Sequence, residues 1–208
     1  MGFQLVCISL THESEGEKIG HAVAAELGFR YVDEEIISKA AELAGVDPQR
    51  VAAAEHKQPL MQRLLDKLLP AQGIIDALTR ADSSVFAAAS SDELRSLIRA
   101  AIREVGKTGN AVIVAHGASM ALAGRTDVLR VLVTAPEETR IARAADRRLL
   151  TPSDASMTIT DSDDARRSYF RDFYKVEEEL PTHYDLVLNT ELISPELAAR
   201  LIVAAVRG

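Results

Sequence analysis

The sequence predicts a three-layer α/β/α sandwich around a doubly wound, mostly parallel, five-stranded sheet with a helical insertion. Three observations carry that expectation. Short apolar runs of strand length recur along the chain, and such runs suit strands covered on both faces. Segments with helical spacing alternate with them, as βαβ connectivity requires. With 47% hydrophobic and 26% charged residues in 208, the composition supplies one sizeable core, built mainly from Ala, Leu, Ile and Val because aromatics are only 4%.

The first run, Gln4 to Ser9, is a strand with the lone cysteine, Cys7, inside it. A thiol among Leu5, Val6 and Ile8 is a buried packing residue, and one cysteine excludes an intramolecular disulfide. Helical spacing follows over Glu15 to Leu27, closed by Gly28 as a C-terminal cap, and then a weak strand at Arg30 to Val32 and a helix over Glu34 to Ala44. Residues 47–89 offer no strand and are broken by Pro48, Pro59, Pro70 and Gly73, which reads as a helical insertion. Its stripe of Leu60, Leu64, Leu65, Leu68 and Leu69 either packs on its own domain or forms a self-association surface, and hence a homodimer.

A helix over Asp92 to Val105 leads to the strand Ala111 to Ala115, and a strand at Leu129 to Thr134 leads to a helix over Pro136 to Arg148. Capping-box patterns stand at Ser90 with Glu93 and at Thr134 with Glu137. Leu149 to Thr160 reads as a linker into a helix over Asp161 to Tyr174. Last come the strand Leu186 to Asn189 and a helix over Pro195 to Val206, which Ser194-Pro195 starts with an N-cap and an N1 proline.

Net charge is −7, which argues against general nucleic-acid binding. No apolar run approaches the ~20 residues of a membrane span, and no signal-like start is evident, so a cytoplasmic location is expected.

In such sheets ligands sit at the carboxyl ends of strands, and the first loop often cradles phosphate. Here that loop runs Thr11-His12-Glu13-Ser14-Glu15-Gly16-Glu17-Lys18. Its position suits a phosphate loop but its contents depart from GxxxxGK[ST], keeping Gly16 with Lys18 two places later and no hydroxyl directly after it; Thr11, His12, Ser14, Gly16 and Lys18 are the nucleotide-binding candidates. Its glutamates fit equally an ordinary acidic helix start, or a hard-cation site. Like charges at about 4 Å cost roughly 1 kcal/mol in bulk water, so Glu13, Glu15 and Glu17 oppose a triphosphate.

Between Arg140 and Arg171 seven arginines face five acids in an otherwise acidic chain. Arg140, Arg143 and Arg147 share one helical face, where they either converge on phosphate or form a solvated salt-bridge lattice. Asp163 stands at i, i+3 to Arg166, with Tyr169 on the same side, so Asp163 is expected to orient Arg166. Residues 147–172 thus read as an arginine-rich lid, of the kind that excludes water in phosphoryl transfer.

Taken in order, these pieces resemble the cytidylate kinase-like family of P-loop nucleoside monophosphate kinases. The resemblance is carried by Val6-Cys7-Ile8-Ser9 with Ile19-Gly20 and Leu27 to Ile37, by Ala111 to Ala115, by Val131 to Arg143, by Asp163 to Phe170, and by Tyr184 to Thr190. It implies a P-loop kinase fold, ATP and Mg²⁺ as co-substrates, and transfer of a γ-phosphoryl group to a pyrimidine nucleoside monophosphate. On that implication Ser14 and Gly16 fall in the phosphate loop, while Arg140, Arg143, Arg147, Asp163, Arg166 and Tyr169 fall in the lid. Asp33 falls on the acceptor side, where its other reading is an N-cap for the following helix. The family's loop is usually "GSGG" where this chain has Glu13-Ser14-Glu15-Gly16, and usually Gly-Arg where it has Ala115-His116-Gly117. His116 is either a substrate-binding residue or a satisfied structural one. The expected partner is a nucleotide or another phosphate-bearing small molecule, with a non-catalytic binding module or a kinase of another hydroxyl substrate as alternatives.

Overall fold

The computed structural model describes residues 2–44 and 91–208. The helical insertion at 47–89, its leucine stripe and the capping box at Ser90 lie outside the described residues. In chain order the elements are β1 (Leu5–Leu10), α1 (Gly16–Leu27), β2 (Arg30–Val32), α2 (Glu34–Ala44), α3 (Ser91–Lys107), β3 (Ala111–Val114), α4 (Ala118–Ala121), β4 (Val128–Thr134), α5 (Glu137–Arg148), α6 (Pro152–Tyr174), β5 (Leu186–Asn189) and α7 (Pro195–Arg207).

All five strands are parallel, in the order β2-β3-β1-β4-β5. The sheet is therefore wholly parallel rather than mostly so. β1 lies at its centre, with Leu5 beside Ala111 on one flank and Val128 on the other. Both faces of β1 are covered, and for that reason it is apolar at every position but Ser9. Leu5 and Cys7 point into a core with Val32, Ile36, Ile98, Ile102 and Phe173. Val6 and Ile8, one residue out of phase, point into the other core with Ile19, Val23, Val131, Ile202 and Val203. Each fully buried Leu, Ile or Val contributes about 1.5 to 3 kcal/mol, so the two layers anchor the strand from both sides.

One turn and one close approach are set by glycine. Gly28 closes α1 in the left-handed region at φ 67°, with its N–H on the Ala24 and Ala25 carbonyls. Gly20 lets α1 lie tight on the sheet, since a Cβ there would come 2.7 Å from Val114 Cγ2. Ser194 accepts the Leu197 N–H at 3.2 Å, the N-cap its Ser-Pro pair predicts.

Two local expectations are corrected. Leu149 to Thr160 is not a linker: Thr151 caps a helix that starts at Pro152 and accepts the Asp154 N–H, so α6 runs unbroken for 23 residues. Thr151-Pro152 is the same N-cap and N1 proline pair that starts α7. Leu149, in the left-handed region at φ 53°, turns α5 into α6, and Ala144, Ala155 and Ile159 seal the resulting hairpin. The capping box at Thr134 is not formed either. Pro136 occupies the N-cap of α5, and the Thr134 hydroxyl accepts from Thr11 Oγ1 at 3.3 Å.

The chain builds β1, β2 and β3 on one side and then returns past β1 to lay down β4 and β5 on the other. The carboxyl ends of β1 and β4 therefore border the crevice at which this architecture places ligands.

Candidate functional site

The loop after β1 is wound against β4. Thr11 N–H and the Ser14 hydroxyl both donate to Val133 O at 3.1 Å, and Ser14 is fully buried. Gly16 is required where it stands, because a Cβ there would lie 2.5 Å from Leu10 Cβ. Glu13 and Glu15 take left-handed backbone, at φ 60° and 70°. A non-glycine residue in that region costs roughly 1 to 2 kcal/mol, so the loop keeps a glycine-type path with two residues that resist it. The first turn bond of α1, from Ile19 N to Glu15 O at 3.0 Å, leaves the preceding amides at the helix mouth.

A cleft of about 320 Å³ opens above this loop, lined by His12 to Lys18 together with Arg147 and Arg148. The Glu13 and Glu15 side chains are only 6% and 10% exposed, so each needs a cationic partner. Arg147 Nη1 donates to Glu13 Oε2 at 3.0 Å and its Nη2 donates to Glu15, while Arg148 Nε stands 3.4 Å from Glu13 Oε1. His12 lies 3.6 Å from Glu13, and burial, reinforced by Arg148, pushes its pKa below the ordinary histidine value. It is accordingly neutral at pH 7.

Lys18 borders the cleft, but its ammonium is drawn outward to Glu196 at 3.0 Å, where both side chains are well exposed. The residue directly after Gly16, where a GxxxxGK[ST] loop carries its lysine, is Glu17, and Lys18 stands where that loop carries its hydroxyl. The Ser14 hydroxyl is committed to Val133 O. The donor set therefore does not reproduce a P-loop magnesium site. Among the described residues no group of three or more His, Cys, Asp or Glu side chains is placed to hold a metal ion.

Of the arginines predicted for the lid, Arg143, Arg147 and Arg166 reach the loop after β1 and Arg140 does not, and their partners are redistributed. Asp163 does not orient Arg166. It takes Arg140 in a two-point pair at 2.9 and 2.7 Å, and Arg140, 6% exposed, also donates to Ala135 O. A guanidinium that deep requires such a partner, and the α5–α6 hairpin brings Asp163 to it. Arg143 donates to Glu13 O at 3.2 Å, Thr190 Oγ1 at 3.0 Å and Thr190 O at 2.6 Å. Thr190, 2% exposed, brings its hydroxyl 3.0 Å from Ser14 O, so Arg143 and Thr190 together hold the loop's own carbonyls. Arg166 donates to both Glu179 oxygens at 2.8 and 2.7 Å, to Leu10 O at 2.6 Å and to Ser9 Oγ at 3.0 Å, and lies 4.8 Å over the Phe170 ring. Tyr184 donates to the same glutamate.

A second cleft, of about 370 Å³, lies on the other side of Glu17 and is lined by that residue with His21, Tyr31, Asp33, Glu34 and Glu35. Asp33 Oδ1 is 2.8 Å from His116 Nε2, so its carboxylate reaches across to the β3 end. Tyr169 and Tyr174 both donate to His116 O, at 2.8 and 3.3 Å. Tyr31 stacks on His21 at 3.7 Å, and its hydroxyl pKa is pushed up to about 12 by burial first and then by the Asp33 charge.

The structure places Thr11, Ser14, Gly16, Arg143, Arg147, Arg166, Asp33, His116 and Tyr169 together at the carboxyl end of the sheet; sequence reasoning named these as candidates. That reasoning missed Thr190, Glu179, Tyr184 and the placement of Glu17. Thr190 carried one signal, its position just past the last strand. Glu179 sits in a run of three glutamates with no spacing to single it out.

The fold has close counterparts among solved structures. An uncharacterized protein from Eubacterium ventriosum superposes with a TM-score of 0.64 at 13% identity, covering 98% of both chains. Shikimate kinase from Bacteroides thetaiotaomicron gives 0.53 at 15% identity, again over 98% of each. At the level of sequence, a cytidylate kinase from Ignicoccus hospitalis is 26% identical over 199 residues, 95% of this chain and 96% of that protein. The model of the cytidylate kinase-like family matches residues 5–192, and the chain belongs to that family.

Proposed function

We propose that this nucleotide kinase-like protein transfers the γ-phosphoryl group of ATP to a pyrimidine nucleoside monophosphate. The observation that carries the reading is the left-handed backbone of Glu13 and Glu15, which keeps a phosphate-loop path where the side chains alone argue against one. The loop amides at the mouth of α1 take the triphosphate. As it enters, its oxygens compete with the carboxylates of Glu13 and Glu15 for Arg147 and Arg148, so the guanidinium groups stay paired while the displaced carboxylates must turn toward solvent, a cost set against binding. Arg140, Arg143 and Arg166 hold the loop and lid in register rather than touch the ligand, since their donors are spent on Asp163, Thr190, Glu13 O, Glu179 and Leu10 O. Asp33 and His116 stand at the acceptor side, across Glu17 from the loop. The rate comes from positioning and the placement of the chain's own cations, without a covalent intermediate. The relatedness to a cytidylate kinase supports the acceptor class.

One observation favours a second reading, a non-catalytic member that binds an anion or a partner. Glu17 follows Gly16, and the nearest ammonium, that of Lys18, is on Glu196. The experiment that separates the two is calorimetric titration with ATP–Mg²⁺ and with CMP, followed by a turnover assay with each nucleoside monophosphate. Binding of both with turnover supports the kinase. CMP binding without ATP binding supports the second reading.

A further inference from the structure

Three consecutive residues at the end of β3, Ala115, His116 and Gly117, have left-handed backbone, at φ 63°, 53° and 63°. Only the third is a glycine, and there a Cβ would lie 2.5 Å from Tyr174 Cε2. Ala115 and His116 therefore hold a conformation their residue types resist, and backbone of that kind persists only where its surroundings over-determine it. The surroundings are specific. Ala115 N–H donates to Ile8 O of the central strand at 2.9 Å, which pins the start of the turn. Tyr169 and Tyr174, both on the lid helix α6, donate to the His116 carbonyl, which pins its middle.

The product of this turn is the direction of one side chain. His116 is 8% exposed and its Nε2 lies 2.8 Å from Asp33 Oδ1, whereas Asp33 is 31% exposed and borders the acceptor-side cleft. Tyr31 lines the same cleft beside that carboxylate. Asp33 is thus held from behind by His116, which leaves it facing the cleft.

We propose that His116 is a positioning residue that fixes the Asp33 carboxylate toward the acceptor, and that the lid helix sets His116 through Tyr169 and Tyr174. The role of Asp33 toward the acceptor rests on the kinase reading above; the grip of His116 on Asp33 does not. The lid helix that carries Arg166 to the phosphate loop also carries these two tyrosines to the acceptor side. Displacement of α6 accordingly reaches both halves of the site at once.

The test uses the full chain and its Asp33→Asn, His116→Ala, His116→Gln and Asp33→Asn/His116→Ala variants. Each is assayed for turnover with CMP and ATP, and the Asp33 carboxyl resonance is followed by ¹³C NMR at one fixed pH. His116→Ala is expected to raise KM for CMP about tenfold or more with KM for ATP almost unchanged, the scale of a reacting group misplaced by a fraction of an ångström. His116→Gln, which keeps an N–H donor, recovers most of the loss, and the double variant is no worse than Asp33→Asn alone, because both act through one carboxylate. Equal effects on both substrates, no effect, or independent effects in the double variant would overturn the proposal. If the wild-type chain turns over no monophosphate, the kinase reading fails, and the NMR spectra decide the positioning claim alone. An Asp33 carboxyl resonance displaced in His116→Ala and restored in His116→Gln supports it, and an unmoved resonance overturns it.

Discussion

Arg147, in the last turn of α5, donates to Glu13 at 3.0 Å across the mouth of the loop after β1, so a guanidinium expected on a ligand is paired with a carboxylate of the loop itself. The loop and the lid are in this way each other's counter-ions. Glu13 and Glu15 are nearly buried, while Arg147 and Arg148 stay half exposed and are free to follow another anion.

Changing Glu13 and Glu15 together to glycine is expected to tighten ATP binding. It removes two carboxylates near the triphosphate, at roughly 1 kcal/mol each near a wet surface, and frees Arg147 and Arg148. The combined effect is about tenfold or more in Kd, read by calorimetry at fixed salt. An unchanged Kd would show that the glutamates do not oppose the ligand. Because both positions have positive φ, the same variant should gain rather than lose thermal stability.

Glu179→Ala is expected to destabilise the fold by about 2 to 4 kcal/mol in chemical denaturation, since it leaves Arg166 partly buried without its counter-ion. Glu179→Gln should cost less, because an amide oxygen still accepts from Arg166 and from Tyr184. Equal stability of the alanine variant and the wild type would reduce this cluster to a surface pair.

Gly117→Ala should cost about 1 to 3 kcal/mol, through positive φ and through a Cβ driven against Tyr174. The loss is measured as a shift of the denaturation midpoint. If the strain is relieved by moving α6, Tyr174→Ala in the same chain recovers part of it.

Acid unfolding has a specific contributor in Arg130 and Asp185, paired at 2.7 and 3.0 Å across β4 and the start of β5. The Arg130 guanidinium holds the Asp185 carboxyl below its ordinary value of 3.8. A carboxyl depressed in the folded state contributes stability that is complete above its unfolded pKa and is lost as pH falls through its folded pKa. The wild-type chain should therefore lose stability faster than Asp185→Asn below about pH 4, with the difference largest at neutral pH and shrinking toward pH 2. Parallel stability curves for the two would contradict the pairing.

The sheet was legible because its strands are covered on both faces and so read as unbroken apolar runs, Leu5-Val6-Cys7-Ile8 above all. Caps written in local residue types were legible too, as at Gly28 and Ser194. Thr151-Pro152 carries the same chemistry as Ser194-Pro195, but helical spacing alone puts the start at Asp161, nine residues past Pro152. Which arginines face the site followed from helical spacing, whereas their partners did not. Asp163 lies three residues from Arg166 but across the hairpin from Arg140, and burial of Arg140 decides the pairing. The left-handed turns at Glu13, Glu15, Ala115 and His116 were hidden for a different reason, since the residue types there argue against the conformation that tertiary packing enforces.

The most direct test of the account is calorimetric titration of ATP–Mg²⁺ into the wild-type chain and into Glu13→Gly/Glu15→Gly under one salt condition. The account predicts binding by both, tighter by about tenfold or more in the variant. Absence of binding by the variant, with its fold intact, would contradict a phosphate loop in this chain.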